Sequence, residues 1–190
     1  VGSEMCIRDS FKTEKPLIKS QKKMSIIIQE NKVIFINTLG DVTALDTLTG
    51  RLLWQLPTQS KSIYEEAMFL KISDMVLEDN SVFFSNNMNE FFSLDASTGI
   101  LNWKQVVNSS LRPSIVNDFI FTVSEEGFLI VIDSKSGKIM RSTDLFDKFK
   151  IKKRKKIKPT GFVLGSKKLY LSTSTGRLLI VDIETGKTQS

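Results

Sequence analysis

Four Asp residues, Asp46, Asp95, Asp133 and Asp182, each open a short stretch of one type, and are the first places to look for chemistry. Three residues further on stand Thr49, Thr98, Ser136 and Thr185, and after them Gly50, Gly99, Gly137 and Gly186. A calcium loop needs several oxygen ligands at alternating positions, whereas each of these copies offers one carboxylate and one hydroxyl. The spacing suits a turn instead, in which the Asp and the Thr or Ser supply oxygens to exposed turn amides. Two adjacent acid pairs, Glu65-Glu66 and Glu125-Glu126, could be sought as an acid–base couple. Neighbouring side chains on a strand face opposite ways, so both pairs read as solvated charge. Glu125-Glu126 falls inside a predicted tight turn. Histidine is absent, which removes His-centred acid–base catalysis and most zinc sites from this stretch. Cys6 is the only cysteine, so no disulfide forms within the chain, a fact compatible with the periplasm because a large β-core needs no staple. The expected catalytic, cofactor-binding and metal residues are therefore none.

One charged segment stands out. From Asp147 to Lys158 lie eight Lys or Arg and one Asp, which carry the whole net charge of +6 and leave the rest of the chain at −1. The basic balance thus belongs to one stretch, "KFKIKKRKKIK", and says nothing for a nucleic-acid-binding fold. Nucleic acid would call for aromatics interleaved with the basic residues, and only Phe149 is there. The segment reads as a solvated connection, with Phe149, Ile151 and Ile157 spaced so that part of it could extend the flanking strands. Lys152, Lys153, Arg154, Lys155 and Lys156 are the candidate contact with a partner or an anionic membrane surface.

The elements that position these residues repeat. Six residues before each Asp stand Gly40, Asn89, Gly127 and Gly176, and four after it the second Gly column. Gly and Asn tolerate positive φ, so each unit holds two tight turns ten residues apart. Between turns run short β-branched and aromatic segments: Val33, Val82, Ile120 and Leu169 at one offset, Val42, Phe91, Leu129 and Leu178 at another, Leu45, Leu94, Ile132 and Val181 at a third. A fourth apolar column, Ile28, Leu77, Ile115 and Leu164, precedes the polar pairs Glu30-Asn31, Asp79-Asn80, Asn117-Asp118 and Ser166-Lys167, which suit a third hairpin. Such runs bounded by turn signals are strands. Each unit is predicted to be a four-stranded antiparallel meander.

Successive Asp lie 49, 38 and 49 residues apart. The longer units carry their extra residues in one connection, around "PTQSKSIYEEA" and "LFDKFKIKKRKK", which is how repeat architectures vary. Four-stranded units of this length set radially are propeller blades. Units are expected at about 24–56, 71–106, 111–146 and 159–190, with the basic insertion at 147–158. The first ten residues, "VGSEMCIRDS", fit nothing that follows and read as a non-native leader, with 11–23 as a linker. The 41% hydrophobic and 25% charged shares are those of an ordinary globular chain, and no apolar run approaches the roughly 18 residues of a membrane span.

Trp54 and Trp103 close the first two copies four residues past the turn Gly; Arg141 and Ser190 stand there in the others. An indole at this place can lie against the next unit while its N–H reaches a main-chain acceptor. "ALDTLTGRLLW" (Ala44–Trp54) matches the Ala-x-Asp-x-x-x-Gly-x-x-x-Trp docking motif of the quinoprotein-type, or PQQ-like, β-propellers, and "SLDASTGILNW" keeps all of it but the Ala. The chain resembles that family over about residues 24–190. The resemblance implies an all-β partial propeller, about four blades of an expected eight, with Asp46, Gly50, Trp54, Asp95, Gly99, Trp103, Asp133, Gly137, Asp182 and Gly186 as its structural docking motif. The stretch "IKPTGFVLGSKKLYLSTSTGRLLIVDIETGK" is most similar to the BamB-type branch. That branch implies a non-catalytic periplasmic lipoprotein at the outer membrane, with protein partners in the β-barrel assembly machinery such as BamA. The alternative branch, dehydrogenases of alcohols and sugars, implies PQQ, calcium, an acidic base and polar residues near the ring axis. The first strands, "SIIIQ", "DMVLE", "PSIVN" and "GFVLG", read instead as core material, so a scaffold is favoured over an enzyme.

Overall fold

Turns placed every few residues between β-branched and aromatic runs leave the chain little option but hairpins, and the computed structural model is built of them. It describes residues 11, 25–37, 40–58 and 70–189. Cys6, the 1–10 segment, most of the 11–23 linker, Glu65-Glu66, most of the first long insertion and Ser190 lie outside the described residues. Sheet 1 holds β1 (Ile26–Gln29), β2 (Lys32–Ile36), β3 (Val42–Asp46) and β4 (Leu52–Leu56). Sheet 2 holds β5 (Val76–Glu78), β6 (Ser81–Asn86), β7 (Glu90–Asp95) and β8 (Leu101–Gln105). Sheet 3 follows with β9 (Ser114–Val116), β10 (Phe119–Val123), β11 (Phe128–Asp133) and β12 (Ile139–Asp144), and sheet 4 with β13 (Pro159–Gly165), β14 (Lys168–Thr173), β15 (Leu178–Asp182) and β16 (Thr188–Gln189). One helical turn, α1 (Ile151–Arg154), joins sheets 3 and 4. Every sheet is an antiparallel meander in chain order. Two compact units divide the chain, Val1–Phe69 with sheet 1 and Leu70–Ser190 with the other three.

The turn columns behave as their residue types require. Asn89 takes φ 63° where Gly40, Gly127 and Gly176 take 89°, 90° and 73°, so the one departure from Gly in that column costs little. At Asp79-Asn80 and Ser166-Lys167 both central residues have positive φ, the geometry whose twist matches that of the flanking strands. A register shift sits one or two residues before Asp46, Asp95 and Asp133, between Ala44/Leu45, Ser93/Leu94 and Val131/Ile132. That bulge bends the third strand into the Asp loop.

In the second unit, sheet 3 is sandwiched. Period-two alternation sends Ile120, Ile130 and Ile132 into a cluster with Phe83 and Phe91 of sheet 2. The opposite face, Phe121, Val123, Leu129 and Val131, meets Leu169, Leu171, Leu179 and Val181 of sheet 4. Burial on both faces explains why β10 and β11 read as nearly unbroken apolar runs.

One expectation needs correction. The first strands are core material only in part: Ile26 and Ile28 are 59% and 71% exposed and Val163 is 60% exposed, while Ile115, Phe162 and Leu164 are half-buried and pack against the core clusters. Each of these strands pairs on one side alone, with the second strand of its own sheet. Leu178 is 62% exposed although Phe91 and Leu129, its counterparts, are fully buried. It lies on the face of sheet 4 opposite Leu179 and Val181, which face sheet 3, and no described sheet covers it.

Candidate functional site

Each Asp of the repeated loop is occupied by its own turn. Asp46 Oδ1 accepts from the amides of Leu48 and Thr49 at 3.0 and 2.6 Å and from Thr49 Oγ1 at 2.7 Å. Asp95 repeats this with Ser97 N, Thr98 N and Thr98 Oγ1 at 3.0, 2.7 and 2.8 Å. Asp133 takes Ser136 N and Oγ, and Asp182 takes Thr185 N and Oγ1, at 2.6–2.8 Å. The backbone N–H of each loop Gly then donates to the carbonyl of the Asp at 2.8–2.9 Å, which requires the left-handed φ of 68–73° found there. The carboxylates are thus spent on capping amides.

Those donors shift the carboxyl groups. The Thr49 hydroxyl, then its amide, holds Asp46 below its ordinary value of 3.8, and Ser136 does the same to Asp133. For Asp182 the Thr185 amide is the larger cause and the hydroxyl the next. A folded carboxyl that releases its proton more readily than the unfolded one stabilises the fold above the unfolded pKa and loses that contribution as pH falls through the folded one. Unfolding stability is therefore expected to be flat near neutrality and to fall below pH 3.8. Asp133→Asn, which keeps an acceptor oxygen but no titration, should flatten that acid limb in urea midpoints measured against pH; an unchanged limb would remove Asp133 from the explanation.

The aromatic end of the motif docks one sheet on the next. Trp103 Nε1 donates to the carbonyl of Ser134 at 2.9 Å, in the loop that follows Asp133. Its ring stacks on Phe91 at 5.8 Å and tilts against Phe83 at 5.9 Å. A Cβ on Gly137 would lie 2.5 Å from the indole, so this Gly is demanded by space as well as by φ. The small residue two before the Asp has a reason too: Ala44 pairs directly with Trp54, and Ser93 with Trp103. Where the Trp is lost, a larger Val131 stands opposite Arg141.

Arg141 takes over the polar contact of the indole. Its guanidinium donates to the carbonyl of Ile183 and, at 2.8 Å, to that of Glu184. Ile183 follows Asp182 as Ser134 follows Asp133, so Arg141 reaches the same loop carbonyl that Trp103 reaches one sheet earlier. Its apolar share passes to Thr143, whose Cγ2 would lie 2.7 Å from a Cβ on Gly186.

A column that escaped the sequence reading lies nine residues before each Asp: Asn37, Asn86, Ser124 and Thr173. These side chains cap the other turn. Asn37 Oδ1 accepts from Asp41 N, Asn86 Oδ1 from Met88 N, Ser124 Oγ from Phe128 N and Thr173 Oγ1 from Arg177 N, at 2.9–3.3 Å. The signal was present, four short polar residues in register, each able to mimic a turn. Glu125 and Glu126 lie in one of these turns and accept from Ser110 Oγ and, at 2.6 Å, from Asn108 Nδ2.

The basic segment forms no strand. It turns once as α1, and its apolar residues are used to anchor it. Ile157 is 6% exposed within the core shared by sheets 3 and 4. Phe149 packs edge-on to Phe146 at 6.0 Å, with the Arg177 guanidinium 5.4 Å from its ring centre. Arg154 leaves the expected contact surface, because its Nη1 pairs with Asp144 Oδ2 at 2.7 Å and its Nε donates to Phe149 O at 3.0 Å. Lys152, Lys153, Lys155 and Lys156 are exposed. Among the described residues no three His, Cys, Asp or Glu converge so as to hold a metal ion, and no helix is long and apolar enough to cross a membrane.

Comparison with known proteins agrees with this architecture. A family model described as outer membrane protein assembly factor BamB matches residues 11–143. No curated protein sequence matches the chain. Among solved structures, BamB from Moraxella catarrhalis superposes with a TM-score of 0.70 at 16% identity, over 95% of this chain and 53% of that one. The quinohemoprotein alcohol dehydrogenase from Comamonas testosteroni gives 0.64 at 14% identity, over 87% of this chain and 34% of that one. The computationally designed protein Ika4 gives 0.60 at 14%, over 90% of this chain and 99% of that one. The chain is an all-β partial propeller that spans about half the length of the Moraxella protein.

Proposed function

The chain belongs to the PQQ-like propeller family of the outer membrane protein assembly factor BamB, and from that premise we propose that it is a non-catalytic, periplasmic scaffold for outer-membrane β-barrel assembly. Its partners are then proteins of that machinery, BamA among them by family resemblance, and it works by orienting them without covalent chemistry. One observation carries the reading: the polar side chains that recur in every unit are consumed by the fold itself. The four Asp cap their own loops, and the residues nine before them cap the opposite turns. Rigid sheets with loops gathered at their ends suit the work of presenting surfaces.

The dehydrogenase reading needs a donor set for calcium and a quinone, and the described residues do not fit one. The four first strands, β1, β5, β9 and β13, carry a single carboxylate, Glu78, where calcium takes six to eight oxygens. Two assays on the same preparation separate the readings. Binding to the immobilised periplasmic part of BamA, with no dye reduction when PQQ, calcium and alcohols or sugars are supplied, is the expected pair of results. Dye reduction that depends on the quinone would overturn the scaffold.

A further inference from the structure

We propose that the lysine-rich turn between β12 and β13 is a membrane-docking element, which binds an anionic bilayer surface through Lys152, Lys153, Lys155 and Lys156 with Ile151 as its apolar tip. The four lysines are exposed, and none of their ammonium groups is in an ion pair with another described residue. Ile151, at the start of α1, is 74% exposed, beside a charge cluster that would keep it from a protein core. Cations around one apolar side chain match the boundary between headgroups and acyl chains.

The base of this element is built, which a solvated tether would not require. Ile157 is buried between sheets 3 and 4, and Phe149 is packed beside it. Asp144 ties the end of β12 to the segment twice, accepting from Phe146 N at 2.8 Å and pairing with Arg154. Lys148 Nζ reaches the carbonyl of Thr188 at 2.6 Å. The charges beyond these anchors are held on a fixed turn, so little conformational entropy is lost when a flat surface meets them.

The chemistry of the cations selects the occupant. Bidentate recognition of one fixed carboxylate or phosphate, as in a bound acidic peptide, draws on the planar fork of arginine, and the single arginine here is turned inward onto Asp144. What faces outward is lysine alone, a set of point charges suited to a diffuse layer of headgroups. Nucleic acid would need an aromatic face, and the ring of Phe149 lies between Phe146 and Arg177.

The test is co-sedimentation of the full 190-residue chain with vesicles of phosphatidylcholine, with and without phosphatidylglycerol. Binding is expected only to the anionic vesicles and should weaken as salt rises. Each lysine near an anionic surface is worth about a fivefold change in partition. The Lys152→Ser, Lys153→Ser, Lys155→Ser, Lys156→Ser variant should therefore lose on the order of a hundredfold or more. The matching quadruple Lys→Arg variant should bind as well as the parent. Ile151→Ser should lose several-fold while leaving the salt dependence unchanged. Equal binding to neutral vesicles, or a quadruple Ser variant that binds like the parent, would overturn the proposal. Capture of a polyglutamate peptide without vesicle binding would overturn it in favour of an acidic protein partner. Neither BamA nor a quinone enters this assay, so its failure leaves the scaffold reading standing.

Discussion

Trp103→Ala is expected to lower unfolding stability by about 3–5 kcal/mol, the range for removing a packed Trp or Phe side chain. The indole stacks on Phe91, tilts on Phe83 and covers Gly137, so truncation opens a void shared by sheets 2 and 3. Aromatic pairs of this kind add about 0.5–1.5 kcal/mol beyond the area buried. Trp103→Phe keeps a smaller aromatic ring but loses the bond to Ser134 O, and the expected cost is smaller, about 1–3 kcal/mol. Urea unfolding followed by circular dichroism reads both. An alanine variant with a midpoint like that of an exposed-loop substitution would contradict the docking role.

Gly137→Ala should cost nearly as much, although it adds one methyl group. At φ 71° a side chain meets backbone strain of about 1–2 kcal/mol. The new Cβ would also stand 2.5 Å from the Trp103 ring, and overpacking of a fixed site costs about 1–3 kcal/mol more. Gly176→Ala is the internal control. Its φ is 73°, yet nothing lies within 4 Å of the added Cβ, so only the backbone cost of about 1–2 kcal/mol applies. The difference between the two variants measures how closely the sheets approach. Equal losses would mean that Gly137 is conserved across the repeat for its φ alone.

Much of this was legible because turn chemistry is local. Asp, Thr and Gly at fixed offsets must make the loops they make, and Asn89 in a Gly column announces its positive φ. Burial was less legible, because it depends on what lies across a face. Leu178 and Leu129 occupy equivalent positions, yet one is open and the other buried, since only Leu129 has a sheet in front of it. The first strands misled in part for a related reason: in β1, paired on one side alone, Ile26 and Ile28 stay exposed, whereas Ile115 and Leu164 reach the edges of the clusters. Arg141 shows a third limit. By residue type it offers less apolar contact than Trp, and the geometry divides the indole's work, with hydrogen bonding to Ile183 and Glu184 by Arg141 and coverage of Gly186 by Thr143. In the basic segment the spacing of Phe149, Ile151 and Ile157 suggested a strand, whereas two of those residues anchor a turn and one is left outside.

Sheets 2, 3 and 4 hold one another at the repeated loops. A double-mutant cycle on Trp103 and Gly137, read from urea unfolding, tests that most directly. Once Trp103 is alanine, Gly137→Ala should cost no more than Gly176→Ala does, which makes the pair non-additive by about 1–3 kcal/mol. Losses that add to within about 0.5 kcal/mol would mean that the indole and the loop glycine do not meet in solution.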